Sequence, residues 1–212
     1  MPSSEFDPAD TLRPATPDGY QEPRSFRYPF VVLLGLVLVI VPVSALLFGS
    51  LLWYAQGSAL EAVFAFEETA TSISLTVSSG AVLLASVGAV GLVTILHELV
   101  HGLVYRYFDY TVSYGVAPQL GAFYAAAFHQ YQARNHNIVV GIAPLVVLTL
   151  IFCPLLFVPQ PVVAVAACIA LVFNTAGAAG DVYLVTRLLR LPAGSLLYDS
   201  DIRHSYIYYP ES

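Results

Sequence analysis

Lysine is absent from the 212 residues, and charged residues of every kind make up only 10% of the chain. An ordinary soluble domain carries about a quarter. Hydrophobic residues reach 58% and mean hydropathy is +0.73. A core of this length cannot absorb that much apolar surface, so a purely water-soluble fold is excluded and lipid must act as part of the solvent. The net charge of −6 argues against nucleic acid, which selects basic patches. Cysteine is also scarce. Cys153 and Cys168 both lie inside apolar runs, which excludes a disulfide framework and leaves them as small buried hydrophobes. No internal repeat is present, and the apolar segments show no matched breaks, which counts against a transporter.

Four apolar stretches are present, at about 28–55, 78–107, 137–158 and 161–189. Each reaches the roughly 20 residues that cross a hydrocarbon core of about 30 Å. The expected fold class is therefore an all-α membrane protein of four transmembrane helices. Residues 1–27 are acidic, proline-rich and without apolar period, and read as a disordered tail too polar for a signal peptide. Residues 28–190 form the membrane domain, and residues 191–212 a second tail.

Arginine placement sets the expected orientation. Arg13, Arg24 and Arg27 precede the first stretch, Arg106 and Arg134 lie between the second and third, and Arg187, Arg190 and Arg203 close the chain. Four spans put them all on one side, so both termini are expected in the cytoplasm of a cell-membrane protein. Between the second and third stretches, Thr111, Val112, Tyr114 and Val116 favour strand and the region from Gly115 to Gly121 favours turns. A short hairpin or re-entrant element, bordering a cavity, is expected there.

The second stretch carries His97-Glu98-Leu99-Val100-His101. On a helix, two histidines four residues apart project from one face, about one turn from each other, and can share one zinc ion. Glu98 can reach the open coordination position and serve as general base toward a water activated there. Histidine and glutamate are expensive inside an apolar span, so a purely structural polar cluster is the weaker reading. Gly88, Gly91 and Thr94 precede the motif. They leave room beside it for a substrate backbone, or else allow close helix packing.

A catalytic zinc takes three protein ligands. Asp181 is the acid of the fourth stretch, and in a four-span topology it lies level with His101 on a parallel span. Asn174, seven residues earlier on nearly the same face, is expected to hydrogen-bond the substrate backbone or a developing oxyanion; an interhelical hydrogen bond is the alternative. His129 and His136 lack ligand spacing and read as surface or hairpin residues. Asp199, Asp201 and His204 read as a solvated tail cluster.

Four features together carry a resemblance: Leu96-His97-Glu98-Leu99-Val100-His101-Gly102, Ala143-Pro144, Asn174 and Gly180-Asp181. Over roughly residues 80–200 the chain resembles the small integral-membrane zincin peptidases, distantly similar to site-2 proteases. The resemblance implies zinc as cofactor, with Asp181 completing the site, and cleavage of a membrane-protein or peptide substrate within or beside the bilayer. The Asn-Pro-Asp-Gly form of site-2 proteases is replaced here by Ala-Gly180-Asp181-Val. A non-catalytic metal-binding scaffold that regulates partner membrane proteins is the competing expectation. The sequence does not indicate an oligomeric state.

Overall fold

The computed structural model describes residues 14–68, 73–77, 80–117 and 122–211. Its helices are α1 (Phe30–Gln56), α2 (Gly80–Tyr107), α3 (Arg134–Phe152), α4 (Pro161–Gly177) and α5 (Ala179–Leu188). With their 3-10 extensions, the segments 30–61, 80–107 and 134–157 are each long and apolar enough to cross a membrane. The fourth expected span is broken: α4 and α5 meet at a bend of 41° and together would make one crossing. In α1 only Ser44, Phe48 and Leu52 are buried, and large apolar side chains such as Leu38, Leu46 and Leu47 are exposed. Such a helix holds its apolar side chains outward, as lipid contact requires.

Helix α4 is the central helix, packing on α1, α2 and α3, while α3 also packs on α2 and α5. Phe48, Leu52, Val93, Leu148 and Leu171 meet in the main core. Gln56 donates to the carbonyls of Leu156 (2.6 Å) and Val158 (2.9 Å), tying the end of α1 to the turn between α3 and α4. At the opposite end, Arg134 donates to the carbonyls of Leu188 (2.7 Å) and Leu189 (3.2 Å). This caps α5, whose last carbonyls lack helical partners, and pins the start of α3 to it.

Strands are where the fold departs from the all-α expectation. Eight are formed: β1 (Arg24–Phe26), β2 (Phe64–Glu68), β3 (Ile73–Val77), β4 (Ser113–Ala117), β5 (Ala122–Ala126), β6 (Tyr131–Ala133), β7 (Leu196–Asp201) and β8 (His204–Tyr208). An antiparallel four-stranded sheet runs in the order β1-β8-β7-β6. It gathers the segments before α1, before α3 and after α5 at one end of the bundle. Part of each expected tail is therefore ordered. Arg24 pairs with Ile207 and Phe26 with Ser205, and Phe26 is buried with Leu188, Leu197 and Ile207. Those few apolar side chains can be buried only by pairing segments distant in sequence, so neither tail shows the sheet alone. Residues 1–13 of the expected N-terminal tail lie outside the described residues.

The expected hairpin after α2 is present. Ser113 pairs with Ala126 and Ala117 with Ala122; its turn, at 118–121, falls outside the described residues. A second hairpin, β2–β3, joins α1 to α2 at the other end of the bundle.

Candidate metal centre

His97 and His101 are both buried on α2, their ring centroids 4.9 Å apart. Asp181 reaches both of them from the first turn of α5. Its Oδ2 lies 3.1 Å from His97 Nε2 and its Oδ1 3.5 Å from His101 Nε2. The three ligand atoms lie within 4.8 Å of one another, close enough for one metal ion. The break at Ala178 lets one chain segment serve both sides of His97. Asn174, before the break, faces Nδ1 at 3.0 Å, and Asp181, after it, faces Nε2.

The surrounding carbonyls fix the tautomers. Asn174 Nδ2 donates to the carbonyl of Pro144 (3.3 Å), so Asn174 Oδ1 must be the atom facing His97, and His97 Nδ1–H must donate to it. His101 Nδ1 lies 2.9 Å from the carbonyl of Val140 and must donate likewise. In their neutral forms both Nε2 atoms are then lone-pair acceptors facing a carboxylate that is also an acceptor, a clash that either a proton on Nε2 or a metal ion relieves. That confrontation is favourable only with positive charge between the groups. Two imidazoles and one carboxylate, with Nδ1 atoms held by carbonyl oxygens, are a donor set and outer shell able to hold one metal ion.

In α3 one proline bears on both outer partners, Val140 directly and Asn174 through its amide. Proline has no N–H, so Pro144 leaves the carbonyl four residues earlier without its helical partner. That carbonyl belongs to Val140, the acceptor for His101, while Pro144's own carbonyl takes the Asn174 amide. Close packing helps place Asp181. A Cβ on Gly141 would stand 2.9 Å from Val185 Cγ2 and 3.7 Å from the Asp181 carbonyl, so α5 reaches α3 there only against glycine.

Glu98 faces the hairpin, its Oε2 accepting the Ala125 N–H at 2.9 Å. The Tyr114 ring fills the space where a side chain on Gly102 would stand, seating β4 over the motif. A cavity of about 460 Å³ opens between these parts. Glu98, both histidines and Asp181 line one side, the hairpin and the four-stranded sheet the rest.

Residues 90–196 match the family described as putative zincin peptidase. That span is half of the chain.

The chain belongs to this family.

No curated protein and no solved structure gives a significant match. The match covers the motif, Pro144, Asn174 and Asp181, and ends as β7 begins.

The other sequence candidates stand apart from the centre. His136 stacks on Phe108 with centroids 3.9 Å apart and bonds the Tyr110 hydroxyl at 3.0 Å. His129 takes a positive φ of 58° at the turn before β6, its N–H donating to the Asp199 carbonyl at 2.9 Å. His204 Nδ1 bonds the Asp201 carboxylate, 2.7 Å from Oδ2. Asp199 is not a solvated tail residue: it lines the same cavity as the metal centre. Two contributors escaped the sequence reading, the Val140 carbonyl and the Ala125 N–H. Only for the first was there a signal, the proline four residues later.

Proposed function

We propose that this zincin-family protein is a zinc-dependent endopeptidase, embedded in the membrane and cutting peptide bonds within or next to it. The observation that carries the reading is the convergence of one ligand atom each from His97, His101 and Asp181 within 4.8 Å of one another, with both Nδ1 atoms held by oxygen acceptors on the other side. His97, His101 and Asp181 would hold the ion. Bound zinc supplies Lewis acidity toward a water and a carbonyl oxygen.

The chain's own groups do the rest. Glu98 takes a proton at its carboxylate and later delivers it to the leaving amine. The Ala125 N–H, on β5, holds that carboxylate in place at 2.9 Å. Because this N–H points away from β4, the outer edge of β5 borders the site. An extended peptide added along such an edge presents its carbonyls to the centre, as strand addition does. Gly88 and Gly91 are exposed on α2, and a Cβ at either would meet nothing within 4 Å, so close helix packing does not require them; Thr94 lines the cavity. With both ends of its carboxamide engaged by the protein, Asn174 is better suited to positioning His97 than to touching substrate.

The topology supports a cytoplasmic placement of both termini. Every arginine among the described residues belongs to the end of the bundle that carries the four-stranded sheet. Positive charge at one end marks the cytoplasmic side.

The test is a pair of measurements on purified protein and in cells. Zinc should be near one equivalent in wild type and in Glu98→Gln, and lost in His97→Ala. Cleavage of co-expressed single-span substrates should vanish in Glu98→Gln. Cleavage that survives Glu98→Gln sinks the mechanism; zinc binding without cleavage of any substrate favours the scaffold.

A further inference from the structure

The cavity wall across from the metal centre is built by β7, β8 and their turn, beyond the family match. Asp199 stands in that wall. Its carboxylate is held by two donors: Gln132 Nε2 donates to Oδ2 at 3.1 Å and the Ser205 hydroxyl, also in the cavity wall, to Oδ1 at 2.5 Å. Each oxygen keeps acceptor capacity on its other side. Its backbone is fixed as well, the carbonyl accepting the His129 N–H and Phe128 bridging to it.

Holding Asp199 this way has a visible penalty. Gln132 is fully buried and its Nε2 also donates to the Ala127 carbonyl at 2.8 Å, while its Oε1 has no partner. An orphaned buried acceptor is destabilising, so the arrangement that holds Asp199 leaves Gln132 incompletely satisfied.

The charge around Asp199 is uncompensated. Asp201, its neighbour on the wall, is tied to the His204 ring and to the backbone N–H groups of Arg203 and His204. Asp181 faces the metal centre. Among the described residues lining the cavity none is arginine or lysine. Burial, with Asp201 adding to it, pushes the Asp199 carboxyl above the usual carboxylate range. Its charged form therefore lacks the counter-charge that a bound cation would bring.

We propose that Asp199 receives a cationic nitrogen group of the substrate peptide, an arginine or lysine side chain or the amino terminus, so that the β7–β8 hairpin sets specificity. The inference rests on the peptidase reading, because it takes the occupant of the cavity to be a peptide. A carboxylate presented in a partly desolvated cavity discriminates by charge more strongly than one on an open surface.

The experiment uses the full-length, zinc-loaded protein in detergent, with Glu98→Gln to prevent turnover. Fluorescent apolar peptides carry arginine, glutamine or glutamate at one position, each with a free or an acetylated amino terminus, and binding is read by anisotropy. The arginine peptide should bind about tenfold more tightly than the glutamine peptide, and the glutamate peptide more weakly still. Adding Asp199→Asn should erase that preference while leaving affinity for the acetylated glutamine peptide unchanged. A preference that follows only the free amino terminus identifies that group as the cation. Equal binding of all peptides, binding of none, or an arginine preference that survives Asp199→Asn overturns the inference. The peptide series on intact Asp199 decides the matter even if the variant does not fold. Charge-selective binding without Glu98-dependent cleavage would count against the peptidase reading alone, and unselective cleavage against this one alone.

Discussion

A buried imidazole needs a partner for Nδ1, and the rigidity of that partner decides how firmly Nε2 is aimed. For His97 the partner is a side chain. Asn174 is buried and held at its other end by the Pro144 carbonyl. Replacing it with alanine leaves the His97 N–H without its acceptor and frees the ring to turn. Asn174→Ala should therefore fold but bind zinc about 10–100-fold more weakly, read by competition with a chromophoric chelator. An unchanged zinc affinity would remove Asn174 from the positioning role. Asp199 makes a prediction of the opposite kind. Its folded-state carboxyl is raised above the ordinary value, so its contribution to stability is full below the ordinary carboxylate range and is lost as pH rises through the raised value. At neutral pH, Asp199→Asn should thus unfold at a higher temperature than wild type, with the gap closing as pH falls below about 4. A variant less stable than wild type at neutral pH contradicts this. His97, Glu98, His101 and Asp181 could be read from sequence because ionisable groups inside apolar stretches stand out energetically. Asp199 could not, since it sits among turn-forming residues beyond the last span and only the sheet reveals its burial.

At the scale of elements, α3 does for the site what a straight helix could not. An interior proline costs a helix about 3 kcal/mol, and here the freed Val140 carbonyl orients His101. Pro144→Ala restores an N–H that competes for that carbonyl. The variant should keep or raise the thermal midpoint of the zinc-free protein while zinc affinity falls, by about tenfold on the scale of outer-shell substitutions. Isothermal titration beside thermal unfolding separates the two effects, and a loss of stability with zinc affinity intact would reverse the assignment. The sequence shows Pro144 but not its use, because a backbone carbonyl carries no residue signature. The strands were hard to see for a related reason. β1, β6, β7 and β8 are three to six residues long and come from three distant segments, so no local period reports their pairing. The β4–β5 hairpin was visible because both strands lie in one segment, with strand-favouring residues leading into turn-favouring ones.

Across the whole molecule, a bound ion would tie together elements that otherwise meet mainly through apolar packing. Its candidate ligands sit on α2 and α5, and their outer partners on α3 and α4. Helix α1 supplies no ligand or partner: it leans on α4 and is tied at its end by Gln56. Zinc bound only by the folded form adds RT ln(1 + [Zn]/Kd), about 4 kcal/mol at a thousandfold excess over Kd. Chelation should lower the thermal midpoint by a corresponding amount in wild type and leave His97→Ala where it was. The distribution of the loss is the sharper measurement. Hydrogen exchange after chelation should quicken around residues 97–101, 140–144 and 174–184, the segments that carry the candidate ligands and their hydrogen-bond partners. In 30–56 it should change least, because α1 carries no candidate ligand and meets the site only through its packing on α4 and α5. Uniform quickening along the chain would mean that zinc stabilises the fold globally, and that the centre is a structural staple instead of a site mounted on an already stable bundle.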